Sequence, residues 1–224
     1  IFGIEVYHMP NLTIFDLDNT LLAGDSDRAW GQYIVEKNVV SDDFLLESER
    51  FYDSYYDGNL DIERFLAFCL KPLMQNKLSK LLELRKDFIE YKIKPMMLNK
   101  AIEMVNKKKS EGRVIIATAT NSFVTRPIAD LFKIDDLIAT EFVIKNNEFT
   151  GEVDGVPCFR EGKVTKVEDW VKTNGYDLSE ATFYSDSFND LPLLEKVKTA
   201  IVVDGDNELI KQAKSNEWEC ISFR

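Results

Sequence analysis

Residues 13–22 read TIFDLDNTLL. An apolar run suited to a protein core ends by presenting two carboxylates, Asp16 and Asp18, one residue apart. Like charges at that spacing repel, and each costs free energy to desolvate. A DxD pair is ordinarily a solvated turn, and the chain has two others, Asp25-Ser26-Asp27 and Asp204-Gly205-Asp206. At 16–18 the pair follows Thr-Ile-Phe directly and precedes Asn-Thr-Leu-Leu, which leaves the carboxylates little open water. A calcium loop would need a glycine at its sixth position, where Leu21 stands.

Outward from this segment, RVIIAT (113–118), ATFYSD (181–186), TAIVV (199–203) and ECISF (219–223) share with NLTIFDL (11–17) the short, β-branched, apolar character of buried strands. Most are followed by a helical pattern, so they predict a parallel sheet covered on both faces. EFVIKNNEFTGEV (141–153) alternates around Asn146-Asn147 and predicts a β-hairpin. Between the first two strands lie SDRAWGQYIVEKN (26–38), DDFLLESERFYDSYY (42–56), DIERFLAFCL (61–70) and LSKLLELRKDFIEY (78–91), all with helical spacing of apolar residues and punctuated by Gly58, Pro72 and Pro95. LNKAIEMVNKKKSEG (98–112) then reads as the helix that crosses into strand two and stops at Gly112. The expected class is α/β: a Rossmann-like parallel core formed by 9–21 and 94–224, with an inserted helical cap over 22–93.

Ligands of open parallel sheets sit beyond the carboxyl ends of the strands, and the chemically able residues fall there. Thr118 ends strand two in VIIATATN, with Thr120 just beyond, and a helix starting nearby offers its positive end to an anion. Pro127 should not lie deep inside that helix. Lys163, in REGKV, follows the hairpin. In YSDSFNDLPLL (184–194), Asp186 ends a strand, while Asp190 before Leu-Pro would also serve as a helix N-cap. Four acidic groups at two strand ends, with one lysine and one threonine, make a hard-oxygen site suited to Mg²⁺ and a phosphoryl group.

Composition bounds the rest. The 224 residues are 45% hydrophobic and 12% aromatic, enough for a sizeable core. A net charge of −11 argues against a sequence-independent grip on nucleic acid or on an anionic membrane. No run is long enough to span a membrane. Cys69, Cys158 and Cys220 are scattered without a CxxC pairing, as expected of reduced thiols in the cytoplasm. Residues 1–8 read as a tag or vector remnant ahead of Met9. The single histidine, His8, lies in it, which argues against a histidine-based mechanism or zinc site.

DLDNTLL, ATAT, EGK and SDSFND, in this order and spacing, resemble the four signature motifs of the haloacid dehalogenase superfamily of aspartate-nucleophile phosphotransferases, over nearly the whole chain from residue 12. The helical insertion between the first and second motifs is similar to the subgroup that includes phosphoserine phosphatase. The resemblance implies Asp16 as a nucleophile that becomes an aspartyl phosphate, and Asp18 as the acid and base. It implies Mg²⁺ held by Asp16, Asp186 and the Asp18 carbonyl, with Asp190 orienting metal-bound waters. Thr118, Thr120, Lys163 and Asn189 would then contact the phosphoryl group.

In phosphoserine phosphatases an acidic residue after the first motif binds the substrate amine, and Asp25 stands in a matching place, although Asp25 or Ser26 would equally cap the first inserted helix. The family's carboxylate-binding arginine falls on Ala67, with Arg64 about one turn away. Asp25 with Asp27 would suit a phosphorylated amine without a carboxylate, such as histidinol phosphate. The aromatic run FLLESERFYDSYYDG reads first as packing. The expected activity is a Mg²⁺-dependent phosphomonoesterase acting on a small phosphorylated metabolite, as a monomer or homodimer. The rivals are a phosphomutase or phosphotransferase, a phosphoacceptor receiver, and a silent binding module. Receivers lack a second aspartate such as Asp18.

Overall fold

The computed structural model describes residues 11–224; the expected boundary near Met9, the remnant 1–8 and His8 lie outside the described residues. Seven strands form one sheet: β1 Asn11–Phe15, β2 Gly112–Asn121, β3 Asp136–Lys145, β4 Glu148–Asp154, β5 Thr182–Ser185, β6 Thr199–Val203 and β7 Glu219–Ile221, in spatial order β4-β3-β2-β1-β5-β6-β7. All neighbours run parallel except β3 and β4. The chain works leftward from β1 through β2 and rightward through β5, so the carboxyl ends of these central strands frame the crevice where such sheets bind ligands.

Alternation along each strand feeds two cores. Leu12, Ile14 and Phe183 point to one face, with Val164, Val167, Leu193 and Leu209 from later helices. Phe15 and Tyr184 point to the other, stacked with ring centroids 4.5 Å apart, and join Ala101, Val105, Val124, Ile128 and the inserted helices. Those inserted helices are α1 Ser26–Glu36, α2 Asp43–Tyr56, α3 Ile62–Met74 and α4 Leu78–Phe88, then a π-helical turn Ile89–Ile93 and the short α5 Lys94–Met96. Leu22 bridges Met97 in antiparallel fashion, and the Ala23 N–H donates to the Met96 carbonyl at 2.7 Å, which ties entry and exit of the insertion together. The remaining helices are α6 Asn99–Glu111, α7 Ser122–Leu131, α8 Glu161–Asn174, α9 Leu191–Leu194 and α10 Asn207–Ser215.

Gly112 ends α6 as expected, and close approach explains it: a Cβ there would lie 2.1 Å from the Asn11 carbonyl oxygen. The hairpin turn at Asn146 and Asn147 has φ of 54° and 62°, the mirror-image turn that matches strand twist. Its first strand begins earlier than expected, at Asp136, where it runs parallel to β2 before turning back. β2 itself continues past Thr118 to Asn121, with a register shift between Ala117 and Asn121.

Two prolines correct the expectation that they bound helices. α3 runs through Pro72, which is buried beside Leu70 and Leu73. Pro127 sits at the sixth position of α7. A proline there cannot donate to the carbonyl four residues back, that of Phe123. The Arg85 guanidinium of α4 supplies the missing donor, at 2.7 Å from the Phe123 oxygen, and lies 4.7 Å from the Phe123 ring centroid. The insertion thus repairs a defect in the core helix beneath it.

Candidate active site

A cleft opens where the ends of β1, β2 and β5 meet the inserted helices. Asp16, Asp18, Asp25, Asp27, Thr118, Thr120, Lys163, Asp186, Asn189 and Asp190 all line it. Sequence positions as far apart as 16 and 190 are therefore brought together as expected. Arg64 and Ala67 are not: both are exposed and line a separate outer groove with Val39, Glu47 and Lys71. α3 turns Ile62 and Phe65 to the cleft instead.

The floor is built on strand ends. Asp16, immediately after β1, is 6% exposed, and its Oδ1 accepts from Lys163 Nζ at 2.9 Å. The same ammonium reaches Asp190 at 2.6 Å, and Ser185 Oγ donates to the other Asp190 oxygen at 2.7 Å. Asp190 stands before α9, yet its side chain makes no capping bond there, so its carboxylate is committed to the cleft. Burial raises Asp16 to about 7; Lys163 opposes the rise, and Asp190 and Asp18 reinforce it. Burial works to lower Lys163, but Asp16 and Asp190 outweigh it and hold the ammonium well above the ordinary lysine range.

Asp18 receives the Ser26 N–H at 2.7 Å, Thr120 Oγ1 at 2.8 Å and Thr118 Oγ1 at 3.5 Å. Burial raises its proton affinity, with these donors from Ser26 and Thr120 pulling the other way. Asp186, following β5, accepts from Thr20 Oγ1 at 3.1 Å, and burial with the charges of Asp16 and Asp190 pushes it well above the carboxylate range. With Asp206, seven aspartates and a single lysine line the cleft among the described residues. Such an excess of hard oxygen donors over positive charge fits a divalent cation. No three His, Cys, Asp or Glu side chains among the described residues stand together as a ready ion cage, so backbone carbonyl and water would have to share in holding one.

The roof comes from the insertion. Asp25 N-caps α1 through the Arg28 N–H at 2.7 Å, as the simpler reading of it required, and its carboxylate also lines the cleft, where Tyr52 Oη donates at 3.2 Å. Burial, together with Asp18 and Asp27, raises Asp25 well above the usual range. Asp27 accepts from Cys69 Sγ at 3.4 Å and Asn121 Nδ2 at 3.3 Å, and burial lifts it to about 6. The aromatic run is more than packing: Phe51, Tyr52, Tyr55 and Tyr56, on one face of α2, line the cleft with Phe65 and Phe159. Their spacing at i, i+1, i+4 and i+5 was the available signal. Tyr55 Oη pairs with Ser187 Oγ at 2.9 Å, across from roof to floor.

Residues 13–195 match the haloacid dehalogenase-like hydrolase family. A histidinol-phosphatase of Neisseria meningitidis is 37% identical over 222 residues, covering 96% of this chain and all of that protein. The phosphoserine phosphatase SerB1 of Mycobacterium tuberculosis is 25% identical, over 94% of this chain and 70% of that one. Among solved structures, a Bordetella pertussis protein of unknown function superposes with a TM-score of 0.88 at 34% identity, over 96% of this chain and 100% of its own. A substrate-bound phosphoserine phosphatase shares the fold, with a TM-score of 0.70 at 20% identity, over 95% and 92% of the two chains. The chain belongs to the haloacid dehalogenase-like hydrolases and is a phosphatase of that family.

Proposed function

We propose that this phosphatase is a Mg²⁺-dependent phosphomonoesterase that hydrolyses a small phosphorylated metabolite through an aspartyl phosphate on Asp16. The observation that carries the reading is the floor of the cleft, which Asp16, Asp18, Asp186 and Asp190 line together with Lys163, whose ammonium pairs with Asp16 and Asp190. Asp16 attacks phosphorus and the ester P–O bond breaks. The leaving oxygen takes a proton from Asp18, whose raised proton affinity suits it to carry one. Asp18 then takes a proton from the water that attacks the aspartyl phosphate, which frees Asp16 and inorganic phosphate.

Thr118 and Lys163 hold the phosphoryl oxygens, with Thr120 and the Asn189 amide beside them. Mg²⁺ would be held by Asp16, Asp186 and the Asp18 carbonyl, its waters oriented by Asp190, and would neutralise charge on the transferring group. The division of labour follows the chain: 9–21 and 94–224 supply the chemistry, and the cap over 22–93 supplies selection.

Histidinol phosphate is the substrate favoured over phosphoserine. A substrate carboxylate would face Asp25 and Asp27 with no arginine lining the cleft among the described residues, whereas an amine would be welcome there. The 37% identical relative named histidinol-phosphatase supports the same choice. Cys69, Cys158 and Cys220 carry free thiols, in keeping with a reducing cytoplasm. Among the described residues no helix is long and apolar enough to cross a membrane.

The test is phosphate release from p-nitrophenyl phosphate, phosphoserine and histidinol phosphate, with Mg²⁺, with chelator, and with Asp16→Asn. Mg²⁺-dependent release that falls by at least about 10⁴-fold in the variant is expected, with histidinol phosphate the best ester. Release that survives the substitution overturns Asp16 as nucleophile. A preference for phosphoserine overturns the assignment of the substrate.

A further inference from the structure

Arg160 has the least comfortable backbone near the cleft. Its φ of 50° and ψ of −120° lie in a region that favours glycine, immediately before α8. Strain of this kind persists only where surrounding contacts over-determine it. Here they come from the guanidinium. Nε donates to Asn189 Oδ1 at 2.9 Å, and Nη2 donates to the Gly58 carbonyl at 2.6 Å, in the loop between α2 and α3. The group also lies 4.9 Å from the centroid of the Phe159 ring, which lines the cleft and is 6.1 Å from the ring of Tyr55. One side chain therefore holds a loop of the insertion against two loops of the sheet domain, at the rim of the cleft. The same residue's carbonyl accepts the Lys163 N–H at 3.0 Å, so the turn that aims the guanidinium also sets the first turn of α8, where the buried lysine stands.

We propose that Arg160 is a positioning residue that latches the inserted helices over the cleft and couples that closure to the placement of Lys163. The inference rests on the cleft being the site of phosphoester hydrolysis. The latch closes the side on which Tyr55 and Asn189 meet. It leaves in place the other ties between the inserted helices and the sheet, the pairing of Leu22 with Met97 and the hold of Arg85 on Phe123. Opening by loss of two guanidinium bonds exposes the floor to water and slackens the Asn189 amide.

The decisive variant is Arg160→Gly, because glycine adopts this backbone conformation without strain while the side chain that carries the guanidinium is removed. Amide hydrogen exchange over 57–61 and kcat and KM on p-nitrophenyl phosphate are measured for the whole protein, alongside Arg160→Ala and Arg160→Lys. The latch predicts at least tenfold faster exchange at Gly58 and Asn59 in the glycine and alanine variants alike. It predicts a tenfold or greater fall in kcat with a smaller change in KM, and partial rescue of both readouts by lysine, which keeps charge but not the fork. A glycine variant with wild-type exchange and wild-type kcat would overturn it, leaving Arg160 as a local turn residue. The exchange readout needs no turnover, so wild-type protein that releases no phosphate yet loses protection in the variants would sink the hydrolytic reading and keep the latch.

Discussion

On the floor of the cleft, Asp16 and Asp190 share the ammonium of Lys163 at 2.9 and 2.6 Å. On the roof, Asp25 and Asp27 have no cationic partner among the described residues: a backbone N–H, a phenol, a thiol and an amide are their partners. The residue type is the same in the two places, while the floor pair is buried and the roof pair half-buried, and the partners that balance the charge differ. Floor carboxylates are fixed in a network that, on the function proposed above, would serve any phosphoryl group. Roof carboxylates are held by neutral donors and retain an unmet demand for positive charge, which a ligand can supply. On the proposed function, chemistry and choice would be separated by electrostatics as well as by position in the chain.

The comparison breaks most decisively at Lys163. Replacing it with methionine strands two buried carboxylates, and chemical denaturation should show a loss of about 3–5 kcal/mol. Turnover of every ester should vanish together. A stable Lys163→Met protein would mean that the floor is not the tightly balanced network described.

Asp25→Asn sharpens the contrast from the roof. Hydrolysis of p-nitrophenyl phosphate should stay within a few fold of wild type, while kcat/KM for histidinol phosphate falls about 10–100-fold, the worth of a charged hydrogen bond. Equal losses on both esters would assign Asp25 to the chemistry or to the stability of α1.

Asp27 offers a pH signature. Its folded value of about 6, raised first by burial, exceeds the ordinary 3.8, so between those values the folded protein binds a proton that the unfolded chain does not. Stability from this group is present below about pH 4 and is lost as pH rises through about 6. Asp27→Asn removes the slope. Relative to wild type it should be more favourable at pH 7.5 than at pH 4.5 by about 1–3 kcal/mol, read from denaturation midpoints. A difference independent of pH would mean that Asp27 ionises like a surface carboxylate.

The smallest effect concerns the tie between the two regions. Arg85→Ala should cost about 1–3 kcal/mol, since it leaves the Phe123 carbonyl without its charged donor. In a Pro127→Ala background the cost should shrink, because alanine restores the helix's own N–H. Additive losses in the double variant would show that the two residues act independently.

Much of the floor was legible in the sequence because TIF and ATFYS each end a strand just before a carboxylate, and a parallel sheet brings such ends together, while Thr118 lies inside β2, three residues before its end. Asp25 and Asp27 were legible by their nearness to Asp18. The first half of β3 was hidden, since DLIAT is too short to stand out and is defined by pairing with β2. The cleft-facing role of Tyr52 and Tyr55 was hidden for another reason. Aromatic residues at helical spacing serve a core or a ligand equally well, and only the position of α2 over the sheet decides. Whether Arg64 reached the cleft stood open in the sequence, because nearness to a motif position says nothing of which side of α3 it occupies; it lines the outer groove. Pro127 misled because its remedy comes from Arg85, in a different region of the chain.

That remedy bears on how such proteins can be recombined. A helical insertion is often pictured as an interchangeable module, free to be traded between cores that share a fold. Here the core carries a missing donor at Pro127 and the insertion carries the replacement. A chimera that imports another insertion inherits an unsatisfied carbonyl, and one that imports another core leaves Arg85 without its acceptor. The two pieces must be exchanged with residues 85 and 127 as a matched pair, which makes this one contact a constraint on recombination as well as on stability.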